Sequence, residues 1–178
     1  MLRRAPVVDR DGYQYVVTPV TDGIPSVGSA LLGEVASGID RAVDLTAVDR
    51  ALVPEAMGIH HAAALATEHD LPFAVARKRA YGLDGEVAVH QETAYGEDEL
   101  YLNGIDAGDR LLLVDDMLSS GGTLRSLQAA CASIGAEVID RVVVLRRGDP
   151  DLPFPVTALA DIEVSDGRAR AVETFARR

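Results

Sequence analysis

Apolar and polar residues alternate along the chain in short blocks of two kinds, one with strand-like and one with helix-like spacing. Residues 7–8 and 13–17 flank Asp11-Gly12, a dipeptide suited to a tight turn. After Pro25, residues 28–41 repeat apolar side chains at helical spacing. Residues 50–53 predict a short buried strand, 58–68 an Ala-rich helix and 73–76 a second strand. Residues 78–98 hold three glycines, Gly82, Gly85 and Gly96, and show no dominant period. About 20 residues is long for a structureless connection, so a functional loop or a mobile hairpin is expected there. Residues 100–102 suggest a strand, followed by a turn at Asn103-Gly104. The run 111–114 predicts a strand buried on both faces, 122–134 a helix stopped by Gly135, and 138–145 another strand. From Pro150 onward, one or two short strands are expected. This alternation favours an α/β domain.

At 178 residues the chain suits one domain, and no repeat, linker or low-complexity tract divides it. An apolar content of 48% is enough for a core and argues against disorder. The longest apolar runs are strand-sized and fall far short of the ~20 residues a membrane helix needs. No apolar stretch follows Arg3-Arg4, so no signal peptide is expected. The single cysteine, Cys131, excludes an intrachain disulfide and a zinc ribbon. A cytoplasmic domain is expected, bound to neither membrane nor nucleic acid, because the net charge of −11 lacks the basic face nucleic acid requires. All 17 basic residues except Lys78 are arginine. Many acids and almost no lysine suit concentrated salt, where self-repulsion is screened within about 3 Å at 1 M. An Arg-favouring codon bias is the alternative.

One segment carries chemistry: Leu111-Leu112-Leu113-Val114-Asp115-Asp116-Met117-Leu118-Ser119-Ser120-Gly121-Gly122-Thr123. An apolar strand ends in two adjacent carboxylates, and a loop of small residues then opens a helix. Ligands of parallel sheets bind beyond the carboxyl ends of strands, which places both acids at a ligand. The amides and hydroxyls of the loop can ring a phosphate at the helix N-terminus. The acids would repel that phosphate; they suit sugar hydroxyls or a hydrated cation. A phosphorylated sugar satisfies both halves of the motif.

This stretch resembles the thirteen-residue phosphoribosyl-pyrophosphate motif of the type I phosphoribosyltransferases. A Walker-B-like strand is the competing reading, but no Gly-x-x-x-x-Gly-Lys-Ser/Thr lies upstream. Glu55-Ala56-Met57-Gly58, between a strand and the Ala-rich helix, is similar to the family's pyrophosphate-binding loop. Arg77-Lys78-Arg79-Ala80-Tyr81-Gly82 looks like the start of the mobile loop of adenine phosphoribosyltransferases and their archaeal hypoxanthine/guanine relatives. Three adjacent cations in a chain of charge −11 call for an anion, and lysine is the compact point charge suited to phosphate oxygens. The archaeal relatives also resemble the chain at Asp22-Gly23-Ile24-Pro25.

The resemblance implies a single domain over 1–178. Its parts would be a Rossmann-like parallel-sheet core at about 48–160, a small N-terminal hood at about 1–45 and a mobile loop at about 78–98. The implied activity is purine salvage: transfer of phosphoribosyl from phosphoribosyl pyrophosphate to a free purine base. Hypoxanthine or guanine is favoured and adenine is possible. Asp115 and Asp116 would hold the ribose, 118–123 (Leu118 through Thr123) the 5′-phosphate, and 55–58 with Arg77, Lys78 and Arg79 the pyrophosphate. Mg²⁺ would be carried by substrate oxygens and waters, reaching Asp115 and Asp116 only through water. A homodimer is expected. The alternative is a non-catalytic regulator that senses phosphoribosyl pyrophosphate or a nucleotide on the same fold.

Two departures leave the base open. Animal-type 6-oxopurine enzymes place an aspartate where this chain has Ser119, and adenine enzymes place a glutamate near Thr93-Ala94-Tyr95-Gly96, where it is missing. Other residues have plainer readings. Cys131 suits a helix core, and His69 a helix-end cation. His60-His61 point to different helix faces, and His90 in the loop is a lesser substrate candidate. Tyr13 and Tyr15 suit core or dimer packing better than stacking on a base.

Overall fold

The structure, a computed structural model, describes residues 5–10, 12–93 and 96–174. The N-terminal stretch 1–4, Asp11 of the tight turn, and Ala94-Tyr95 of the second departure lie outside the described residues. Gly12, with φ of 81°, turns the chain between β1 (Val7–Arg10) and β2 (Tyr13–Val16), an antiparallel ribbon separate from the main sheet. Thr18 then caps one helical turn, α1 (Pro19–Asp22), by accepting from the amides of Val20 and Thr21. α2 (Ser29–Ala42) buries Val35, Ala36 and Ile39 along one stripe and keeps Glu34, Asp40 and Arg41 exposed.

β3 (Arg50–Pro54), α3 (Gly58–His69) and β4 (Phe73–Ala76) form the first strand–helix–strand unit. β5 (Val87–Thr93) and β6 (Gly96–Leu102) follow as an antiparallel hairpin. β7 (Arg110–Leu118), α4 (Gly122–Ile134) and β8 (Glu137–Arg146) make the second unit, and β9 (Thr157–Ser165) and β10 (Arg168–Thr174) complete the sheet. Its order is β10-β9-β8-β7-β3-β4, parallel throughout except for the antiparallel edge strand β10. β7 lies inside and is buried on both faces. Leu112 and Val114 pack with Ile39 and Leu65 from α2 and α3, while Leu111 and Leu113 pack with Leu124 and Leu127 from α4. The β5–β6 hairpin adds Val89, Leu100 and Leu102 to that second layer.

Of the two expectations for 78–98, a hairpin forms, its first strand starting at Val87 with Val87 and Val89 facing the protein. Two other expectations change. β7 runs four residues past Val114, because its ladder with β8 continues through the acid pair to Leu118 opposite Arg146. The tail forms two long strands and not short ones, since β9 extends the parallel ladder on β8 and β10 folds back on β9. Among the described residues, no helix is long and apolar enough to cross a membrane.

Candidate active site

β3 and β7 are neighbours, yet the helices that follow them pack on opposite faces of the sheet. Their connections therefore diverge beyond the strand ends and leave a crevice, the place where open α/β sheets bind ligands. A pocket of about 350 Å³ lies there, lined by Asp115 through Leu124, Pro54, Glu55 and Lys78, and closed by Tyr13, Tyr15, Asp22 and Arg147. A larger cavity of about 1290 Å³, between α2 and β8–β10, contains none of the motif residues.

The acid pair sits in the last half of β7, after its run of buried apolar residues. Asp115 is 7% exposed, and its Oδ1 accepts the Asp116 amide at 2.8 Å. Burial, then the charge of Asp116, pushes the Asp115 carboxyl well above the usual carboxylate range; burial also raises Asp116. Such acids ionise readily only when hydroxyls or a cation arrive to share the charge.

Leu118 ends the strand with its side chain in the core, and its carbonyl accepts the Arg147 amide at 2.8 Å. Ser119 and Ser120 are half-buried, and Gly121 turns into α4 at φ of 76°. A Cβ on Gly121 would lie 2.6 Å from the Leu152 Cδ2 methyl and push it aside, while the positive φ is what favours glycine there. Arg125 braces the loop, donating to the Ser120 carbonyl at 2.8 Å and to the Asp151 carbonyl at 3.0 Å. Gly121 offers no side-chain cap to α4, and the Gly122 amide donates to the Ser120 hydroxyl at a long 3.4 Å, a first turn that an anion could satisfy with Thr123.

Glu55, Ala56, Met57 and Gly58 join β3 to α3, and the Glu55–Ala56 peptide bond is cis. The Glu55 amide already donates to the Ala76 carbonyl at 2.9 Å. Its carboxylate accepts the Lys78 amide at 3.0 Å and stands 3.2 Å from Arg77 Nε. Glu55 thus seats the start of the cationic segment through the Lys78 amide and the Arg77 side chain. Gly58 is buried, and a Cβ there would meet Val53 at 3.0 Å, so it serves the close approach of α3 to the sheet. The triplet is divided: Lys78 lines the pocket, Arg77 pairs with Glu55, and Arg79 lies over the Tyr81 ring at 5.9 Å.

Sequence reasoning missed the fourth wall. Tyr13 and Tyr15, read as packing residues, line the pocket with their rings edge to face at 4.8 Å. Arg147 stacks on Tyr13 at 4.9 Å and donates to the Gln14 carbonyl, tying the hood to the end of β8. Asp22 stands beside them at the end of α1. The i, i+2 spacing of the tyrosines was the only local signal, and it told of a shared face without telling what that face meets. Cys131 is fully buried, and burial pushes its thiol to about 11. His69 lies 3.7 Å from Asp40 in the last turn of α3. The His60 and His61 rings are 3.9 Å apart outside the pocket lining; burial holds the fully buried His61 down to about 3. His90 is exposed on β5 beside Glu99, away from the pocket.

Comparison with known proteins agrees with this geometry. The family model "Phosphoribosyl transferase domain" matches residues 23–154. The chain is 55% identical over 175 residues to HGPRTase-like protein 3 of Haloterrigena turkmenica, covering 97% of this chain and 94% of that protein. It is 52% identical over 167 residues to HGPRTase-like protein 1 of Halalkalicoccus jeotgali, covering 92% of each. The crystal structure of adenine phosphoribosyltransferase from Thermoanaerobacter pseudethanolicus superposes with a TM-score of 0.73. It covers 88% of this chain and 95% of that one at 19% identity, a likeness of fold. The matched span takes in the β3–α3 loop, the acid pair, the small-residue loop and the segment that braces it, and the chain belongs to the phosphoribosyltransferase family.

Proposed function

We propose that the protein transfers the phosphoribosyl group of phosphoribosyl pyrophosphate to a purine base, giving a nucleoside 5′-monophosphate and pyrophosphate. Hypoxanthine and guanine are the favoured bases, in keeping with the names of its haloarchaeal relatives; adenine is the further substrate to test. The observation that carries this reading is the meeting, in one pocket, of the acid pair, the small-residue loop and Lys78. Purine salvage, a cytoplasmic location and a homodimer belong to the same reading.

Displacement at an anomeric carbon passes through an oxocarbenium-like state, so the protein's work is positioning and electrostatics. The loop 118–123 holds the 5′-phosphate through amides and hydroxyls. Asp115 and Asp116 accept the ribose hydroxyls; these bonds favour the ionised acids, whose charge then faces the developing cation. Lys78 meets the leaving pyrophosphate, with Glu55 and Arg77 holding its backbone in place. The loop at 78–98 would close to limit water at the cation, as the family resemblance implies.

Among the described residues, no group of three or more His, Cys, Asp or Glu side chains could hold a metal ion. Two adjacent acids fit an ion carried in by the substrate, reached through water by Asp115 and Asp116. Mg²⁺ so bound would neutralise charge on the pyrophosphate.

The test is a turnover assay in high KCl with Mg²⁺, phosphoribosyl pyrophosphate and each of adenine, hypoxanthine, guanine, xanthine and uracil. Pyrophosphate release with hypoxanthine or guanine is the expected result. Tight binding of phosphoribosyl pyrophosphate without turnover of any base would instead mark a regulator, and turnover of uracil alone a pyrimidine enzyme.

A further inference from the structure

Bond formation at a purine ring nitrogen needs a proton acceptor. The nitrogen lone pair attacks C1′, and the C1′–O bond breaks with its electron pair leaving on pyrophosphate. The base then carries a positive charge until a ring N–H proton departs. Among the described residues, the carboxylates lining the pocket are Asp22, Glu55, Asp115 and Asp116. Glu55 is engaged by the Lys78 amide and Arg77. Asp115 and Asp116 directly precede the phosphate loop, so a ribose whose phosphate sits on that loop presents its hydroxyls to them. Ser119 offers only a hydroxyl, a poor base.

Asp22 comes from the opposite wall, beside Tyr13 and Tyr15. Its Oδ2 accepts the Thr18 amide at 2.9 Å and the Thr21 hydroxyl at 2.5 Å. Those two bonds fix the carboxylate, while Oδ1 accepts no hydrogen bond among the described residues. We propose that Asp22 is a catalytic residue, taking the ring N–H proton of the purine as the N-glycosidic bond forms. The assignment rests on the purine-transfer reading above. Asp22 stands close enough to the acid pair for its charge to contribute to the raised Asp116. The other ionisable groups on the pocket walls are Asp115 and Asp116 from β7, Glu55 from the β3–α3 loop, Lys78 after β4, Arg147 after β8, and Tyr13 and Tyr15 from β2.

The decisive variant is Asp22→Asn, which keeps an oxygen to accept from Thr18 and Thr21 but cannot take a proton. With hypoxanthine, kcat is expected to fall roughly 100-fold, the scale of a lost general base. KM for phosphoribosyl pyrophosphate and the Tm are expected to stay near wild type. The deficit should narrow as pH rises, because the purine then sheds the proton unaided; a purely structural role gives a deficit independent of pH. Asp22→Glu, a second carboxylate, should recover part of kcat where Asn does not. Wild-type kcat in Asp22→Asn overturns the proposal, as does a deficit that is flat with pH or abolished by added Mg²⁺. A wild-type protein that turns over no purine defeats both this assignment and the function it rests on. An active wild type with an unaffected Asp22→Asn defeats this assignment alone.

Discussion

Asp115 is a carboxyl removed from water with a second carboxyl beside it, and it binds its proton more tightly folded than unfolded. The stability this confers is therefore complete below the unfolded value of 3.8 and is lost as pH rises through the raised folded value. Ionising this acid costs the fold the desolvation that its burial imposes. Asp115→Asn should then raise Tm by about 2–4 °C at pH 7, the effect of roughly 1 kcal/mol in a chain of this size. Its carbonyl still accepts the Asp116 amide, and turnover should drop at least about 100-fold as ribose contacts and charge are lost. The gain in Tm should shrink as pH falls towards 4, where the wild-type acid is neutral too. Calorimetry at the two pH values checks this, and a variant less stable than wild type at pH 7 contradicts it. Lys78 is a different case, a cation on a backbone that Glu55 holds. Lys78→Ala should raise KM for phosphoribosyl pyrophosphate about tenfold, the loss of one charge-assisted contact, and leave KM for the base unchanged. A rise confined to the base would move the loop to the other end of the substrate.

The small-residue loop at 119–122 is built by three elements. β7 delivers it, α4 receives it, and the segment between β8 and β9 lies against it through Leu152 and the Asp151 carbonyl. Gly121 is where they converge, at positive φ and against Leu152. Gly121→Ala should cost about 1–2 kcal/mol, a fall in Tm of about 2–8 °C, and weaken phosphoribosyl pyrophosphate binding. Binding titrations alongside melting curves test this; unchanged values in both would mean the loop tolerates a Cβ there. Elements with a strong local period are legible along the chain itself: β4 and α4 fall where the pattern places them. The β5–β6 hairpin is legible only as one of two expectations and a short strand at 100–102, because the contact of Val89 and Leu100 with the α4 layer has no trace in the local pattern.

Across the whole molecule, 28 acidic residues oppose 17 basic ones, of which 16 are arginine and one is Lys78. Some of this charge is locally paired. Arg110 grips Asp49 with two nitrogens, which holds the Asp49 carboxyl down at about 2. The remainder repels itself, and salt screens it. Tm should therefore fall when KCl is lowered below about 0.5 M. Equal Tm at 0.1 M and 2 M KCl would show that the acidic composition does not serve a salty solvent.

Thirteen consecutive residues, 111–123, contain a buried strand, two acids and a small-residue helix start. Chain order alone brings these together, so the sequence by itself determined that the acid pair and the small-residue loop share one wall of the pocket. The other walls depend on residues far apart. Arg147 meets Gln14 across 133 positions, and Asp22 shares a pocket with Asp116, because α3 and α4 leave the sheet on opposite faces and the β1–β2 ribbon closes the crevice between them. Likewise, three adjacent cations are equivalent in sequence, and it is Glu55 that fixes the first while the chain's direction sends only the second into the pocket. A side chain's neighbours in sequence set its local conformation; which carboxylate or ring it faces is set by packing between layers, and that has no local signature.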